Sequence, residues 1–193
     1  MKVIAINASA RKDGNTAILI KEVFKELNNQ DVETEIIQLS KEVIEPCKAC
    51  FACGGKGNCV HKKDIFNRVF EKMKEADGII LGSPTYSANI SATMQAILER
   101  AAVVVDMNPG IMKHKAGAAV VTARRGGAVN TVDAMNHFFL NHEMFVTGSI
   151  YWNIGYGQMP GDVKEDKEAL ANMTNLGQNM AYLLKSLSNY ENK

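Results

Sequence analysis

Four cysteines stand at Cys47, Cys50, Cys53 and Cys59, within the thirteen-residue run CKACFACGGKGNC, and the rest of the 193-residue chain has none. The C-x2-C-x2-C core presents three thiolates from one short segment, the arrangement by which cubane iron–sulfur clusters are wrapped. Gly54, Gly55 and Gly57 free the backbone to swing Cys59 round as a fourth ligand. A structural zinc site usually draws paired cysteines from two separated knuckles, whereas one compact run supplies everything here. The ferredoxin run has three residues before its last cysteine and sends that ligand to a second cluster. This chain has five, then Val60, and no fifth cysteine. The pattern points to a single [4Fe–4S] cluster held by all four thiolates, with zinc and redox-switching thiols as the other chemistries open to it.

A second polar group follows the first apolar run: Asn7-Ala8-Ser9-Ala10-Arg11-Lys12-Asp13-Gly14-Asn15-Thr16. It has one glycine where a dinucleotide fingerprint wants three, and it lacks the Gly-Lys-Ser/Thr of a Walker loop. No acid ends the next strand, which closes Gln38-Leu39-Ser40. What remains suits one terminal phosphate: the side chains of Ser9, Asn15 and Thr16, free N–H groups at a helix start, and the charge of Arg11. A plain capped turn is the alternative. Further on, Gly82-Ser83-Pro84-Thr85-Tyr86 offers a turn fixed by Pro84 and a flat aromatic face at Tyr86, which reads equally as a stacking surface for a planar ligand or as half-buried packing. Thr122-Ala123-Arg124-Arg125-Gly126-Gly127 sets two guanidinium groups beside flexible glycines, fit for a reduced anionic ring or a phosphate, or else a solvated loop.

Positioning these loops requires strands that end beside them. Lys2–Asn7, Val32–Leu39, Gly78–Gly82, Ala116–Thr122 and Met144–Ile150 read as strands, mostly continuous apolar runs as in a sheet buried on both faces. Helical spacing marks Thr16–Leu27, a segment capped by Asp64, Ser91–Val105, Val129–His142 and Asp162–Leu187. Alternating strands and helices give an α/β fold with a parallel sheet, and ligands gather at the carboxyl ends of its strands. Two doubly wound orders are common, and the first loop disfavours the dinucleotide type; the family that the loops resemble implies a flavodoxin-like, doubly wound five-stranded sheet in the order 2-1-3-4-5. It forms a single domain over residues 1–193, with a cysteine-rich insertion after strand two at about 45–62. That insertion leaves the edge of the sheet where a flavin would lie.

Composition sets the outer limits. With 22 basic and 21 acidic residues the net charge is +1, which gives no electrostatic case for nucleic acid. The N-terminal apolar run is short for a secretory signal and no span reaches membrane length, so a cytoplasmic protein without structural disulfides is expected. His61, His114, His137 and His142 lack ligand-like spacing, and surface or packing roles are expected of them. The run Tyr151-Trp152-Asn153-Ile154-Gly155-Tyr156-Gly157 reads equally as a flavin cover or a subunit contact.

The first loop resembles the GSxRxxGNT loop by which the NADPH-dependent FMN reductases bind the FMN phosphate. Ser9, Arg11, Gly14, Asn15 and Thr16 are kept, and Asn7-Ala8 stands where glycine usually precedes the serine. The resemblance implies that Ser83, Pro84, Thr85, Tyr86 and Asn89 follow the flavin ring and its ribityl chain. Thr122, Arg124, Arg125 and Gly126 are the candidate contacts after strand four. Joined to the cysteine run, the pattern is similar to the iron–sulfur flavoproteins of anaerobic archaea and bacteria. That family implies one FMN and one [4Fe–4S] cluster per subunit, ligated by Cys47, Cys50, Cys53 and Cys59. It implies a homodimer or homotetramer, a ferredoxin-like electron donor and a small-molecule acceptor. An NAD(P)H-dependent FMN or quinone reductase with vestigial cysteines, and a redox-sensing module, are the competing readings.

Overall fold

The computed structural model describes residues 1–191. In chain order it runs β1 (Lys2–Asn7), α1 (Asn15–Asn29), β2 (Glu33–Gln38), α2 (Phe66–Glu75), β3 (Gly78–Pro84), α3 (Ala92–Asp106), β4 (Ala116–Ala123), α4 (Ala128–Asn141), β5 (Phe145–Val146), β6 (Ile154–Tyr156), a 3-10 turn (Asp162–Glu165) and α5 (Lys167–Glu191). Strand order is β2-β1-β3-β4-β5, with every pairing parallel, as the sequence predicts. Side chains along β1 alternate between faces: Ile4 and Ile6 join the core under α2, α3 and α4, while Val3 and Ala5 join the core under α1 and α5. Helices on both faces explain why β4 is buried along its whole length.

Two expected boundaries move. Met144–Ile150 is not one strand: Phe145 and Val146 pair with Ala116 and Gly117, the chain then leaves the sheet, and Ile154–Tyr156 returns to pair with Val121–Ala123. The excursion bonds to itself, Ser149 Oγ donating to Tyr151 O at 2.8 Å and to Asn153 Oδ1 at 2.7 Å, so its backbone need not stay in the ladder. The closing helix begins at Lys167 rather than Asp162, because Asp166 Oδ1 accepts from Ala169 N at 3.0 Å and caps it there. Among the described residues, no helix is long and apolar enough to cross a membrane.

Candidate functional site

At the carboxyl ends of β1, β3 and β4 lies a cleft of about 290 Å³. It gathers Ser9, Arg11, Asn15, Thr16, Pro84, Thr85, Tyr86, Thr122 and Arg124 from the candidates named above. Ser83, Asn89, Arg125 and Gly126 do not line it. Ser83 is fully buried, its hydroxyl accepting from Ser91 N at 3.0 Å and donating to Pro84 O at 2.8 Å, so it braces the loop from behind. Asn89 accepts from Ile90 N within its own turn. Of the two arginines, Arg124 reaches the cleft.

One end of the cleft is the start of α1. No side chain caps this helix, no acid stands in its first turn, and its first residues Asn15, Thr16 and Ala17 are buried. Backbone N–H groups and the helix dipole there form a cradle for an anion. Thr16 Oγ1 and Thr122 Oγ1 share a hydrogen bond of 2.9 Å, joining the floor of the cleft across β4. At the other end Tyr86 is half-exposed, in a tight turn closed by N–H···O bonds between Tyr86 and Asn89. Ser87 (φ 50°) and Ala88 (φ 57°) hold left-handed conformations without glycine. Gly127 permits this packing: at φ 80°, it would place an added Cβ only 2.8 Å from Ala88 Cβ.

Gly157 and Gln158 also line the cleft. The segment after β6 straps the loop after β1: Arg11 Nη1 donates to Gln158 O at 3.1 Å, and Asn15 Nδ2 donates to Met159 O at 3.0 Å. Gly161 N returns a bond to Asn15 Oδ1 at 2.8 Å. Only the glycines around Tyr156 hinted at this in the sequence, since close backbone approach needs glycine.

All four cysteines are free and line a single recess. Ala49 (φ 47°) and Phe51 (φ 52°) take left-handed backbones between them and coil the run. Sulfurs receive donors: Ala49 N–H points to Cys47 Sγ at 3.4 Å, and Arg100 Nη2 to Cys59 Sγ at 3.4 Å. Burial pushes the Cys53 thiol up, and the charges of Cys59, Cys47 and Cys50 push it the same way. His61 stands 3.6 Å from Cys50 Sγ, so it belongs to this site, whereas His142 is packed in the core side of α4. No three His, Cys, Asp or Glu side chains are grouped to hold one metal ion among the described residues.

The loop's course differs from expectation. It leaves the carboxyl end of β2 but folds back along the outer groove of α2 and α3. Glu99 Oε1 accepts from Cys47 N at 2.9 Å, and Asn108 Nδ2 donates to Cys53 O at 3.0 Å. Gly57 is held between Asn108 Oδ1 and Lys74 Nζ at the far ends of the two helices. Ser91, which caps α3, donates to Ala8 O beside the cleft, and Arg100 lines the cysteine recess. At about 1.5 Å of rise per residue, roughly 14 Å of helix separates them.

Arg100 is the residue that sequence reading missed, and its partner Asp64 was read only as a helix cap. Their side chains are 3% and 8% exposed and form an ion pair of 2.5 Å. Burial raises the Asp64 carboxyl, but Glu45 N–H, Phe66 N–H and the Arg100 guanidinium outweigh it and hold the group below the usual range. The available signal was a charge continuing the apolar stripe Ile97–Val104 on α3.

This parallel sheet, with its cleft at the carboxyl ends, defines a flavodoxin-like protein. The chain superimposes on a flavodoxin from the domain Archaea with a TM-score of 0.62 (18% identity, 96% of this chain and 99% of that one). RosB, solved with the bound intermediate 8-demethyl-8-formylriboflavin-5′-phosphate, gives 0.78 (18% identity, 98% and 81%). Residues 1–158 match the NADPH-dependent FMN reductase family. An iron–sulfur flavoprotein of Methanocaldococcus jannaschii is 37% identical over 96% of this chain and 98% of its own. The chain belongs to the iron–sulfur flavoproteins of the NADPH-dependent FMN reductase family.

Proposed function

We propose that the protein is a flavin-dependent oxidoreductase of the electron-transfer kind, taking electrons from a ferredoxin-like donor through a [4Fe–4S] cluster to FMN and on to a small-molecule acceptor. The observation that carries this reading is that four free cysteines line one recess, in a chain whose other cleft pairs an uncapped helix start with an exposed tyrosine. When bound, the flavin and cluster supply the redox chemistry, and the protein positions and tunes them. The N–H groups at the start of α1, with Ser9, Thr16 and Arg11, hold the phosphate. Pro84, Thr85 and Tyr86 border the ring, and Arg124 brings positive charge to it. Cys47, Cys50, Cys53 and Cys59 hold the cluster, with Ala49 N–H and Arg100 donating to its ligand sulfurs.

Anaerobic reconstitution with FMN, iron and sulfide tests the assignment, read by metal and sulfide analysis and the visible spectrum. Wild-type protein is expected to hold one FMN and about four irons per chain, as a single cubane requires. Cys59→Ser is expected to lose or alter the cluster while retaining FMN, because serine is a harder ligand and Cys59 lies outside the flavin cleft. Flavin without iron in the wild type would leave a plain FMN reductase, and zinc in place of iron would overturn the cluster.

A further inference from the structure

Arg100 occupies a position that neither a helix surface nor an apolar core explains. It lies mid-helix in α3, almost fully buried, with Phe66 stacked 4.2 Å from the guanidinium carbon. Nη1 donates to Asp64 Oδ2 at 2.5 Å and to Glu45 O at 3.2 Å. Nη2 donates to His61 O at 3.1 Å and to Cys59 Sγ at 3.4 Å. One planar group thus bonds the chain two residues before the first cysteine, the sulfur of the last, and the chain two residues beyond it. Asp64 completes the closure, accepting from Glu45 N at 2.9 Å and from Phe66 N at 3.1 Å.

We propose that Arg100 is the positioning residue of the cysteine site: it clasps both ends of the loop and lays a buried positive charge, partly cancelled by Asp64, against the Cys59 ligand. The inference rests on the cluster reading above. Two consequences separate it from an ordinary structural ion pair. A clasp that joins Glu45 to His61 shapes the loop before iron arrives, so it governs how completely the apoprotein loads. A cation donating to a ligand sulfur stabilises the more negative, reduced cluster and raises its potential, and the neighbouring carboxylate opposes that effect. Lysine keeps the charge but cannot reproduce the fork, because its three donors radiate from one nitrogen.

The experiment compares wild type, Arg100→Lys, Arg100→Gln and Asp64→Asn after anaerobic reconstitution. Iron and sulfide per chain, and the cluster midpoint potential by redox titration, are the measurements. Circular dichroism and limited proteolysis of each apoprotein report on folding and on the closure of residues 45–63. Arg100→Lys is expected to load less iron and to be cut faster in the loop, with the loaded fraction near the wild-type potential. Arg100→Gln is expected at a more negative potential and Asp64→Asn at a more positive one. Opposite signs require a charge effect, since a merely structural role would move both variants the same way or neither. A loaded wild type with potentials unchanged, or shifted together, in the two charge variants overturns this inference alone. If Arg100→Gln does not fold, Asp64→Asn decides, and an unchanged or lowered potential there overturns the proposal. A wild type that takes up no iron or sulfide overturns the cluster reading and this inference with it.

Discussion

Asn15 joins two parts of the flavin cleft. Its carboxamide pins the strap at Met159 O and Gly161 N, while its backbone stands at the uncapped start of α1. Asn15→Leu removes both bonds and loosens the phosphate cradle together with its cover. FMN affinity is expected to fall about 5- to 100-fold, the scale of losing two neutral hydrogen bonds at about 0.5–1.5 kcal/mol each. Titrating the apoprotein with FMN and following flavin fluorescence checks this; unchanged affinity in both Asn15→Leu and a bulky apolar Thr16 variant removes the phosphate assignment. Asp64 makes a different prediction, in pH. Its folded pKa is held below the unfolded value of about 3.9, so the stability it contributes is fully present above that value and drains away as pH falls through the folded one. Acid titration followed by circular dichroism should therefore show a shallower stability loss between roughly pH 5 and pH 2 in Asp64→Asn, from a lower starting level.

At the scale of the elements, close packing of helix on sheet is the controlling feature. A Cβ at Gly117 of β4 would sit 2.6 Å from the Phe139 ring of α4. Gly117→Ala is expected to cost about 1–3 kcal/mol through overpacking, which a calorimeter reads as a Tm lower by roughly 2–10 °C. Phe139→Leu in the same chain should restore part of the loss, and full stability of the single variant would contradict the packing. The parallel strands β1, β3 and β4 were readable from sequence because burial on both faces leaves continuous apolar runs. The extent of the fifth strand was not, because the apolar run continues through Ile150 although that residue is exposed on the excursion. Periodicity records hydrophobicity and is silent about whether the chain stays in the ladder. Arg100 was equally silent, since its meaning depends on Asp64, 36 positions away in sequence. That the loop after β1 lines the cleft was legible for the opposite reason: its polar residues are consecutive.

For the whole molecule, the outer edge is the informative surface. Phe145 and Val146 of the edge strand are exposed, and Ile150 and Tyr151 stand 71% and 64% open beside Trp152. Burying this apolar edge against a second copy would account for it, and a homodimer or homotetramer is the proposed state. Light scattering should give a multiple of the 21.1 kDa chain mass, and Ile150→Glu should shift it toward one chain. A wild type that stays monomeric with both cofactors bound would overturn this. The double duty of α3 has a further consequence, for how such a protein can arise or be built. Its cap bonds the first loop, its middle supplies Glu99 and Arg100 to the cysteine segment, and the turn just past its end supplies Asn108. The insertion is therefore not a portable cassette. Grafting residues 45–63 alone onto another flavodoxin-like chain would leave every one of those anchors behind, so heredity and design alike must move loop and helix together.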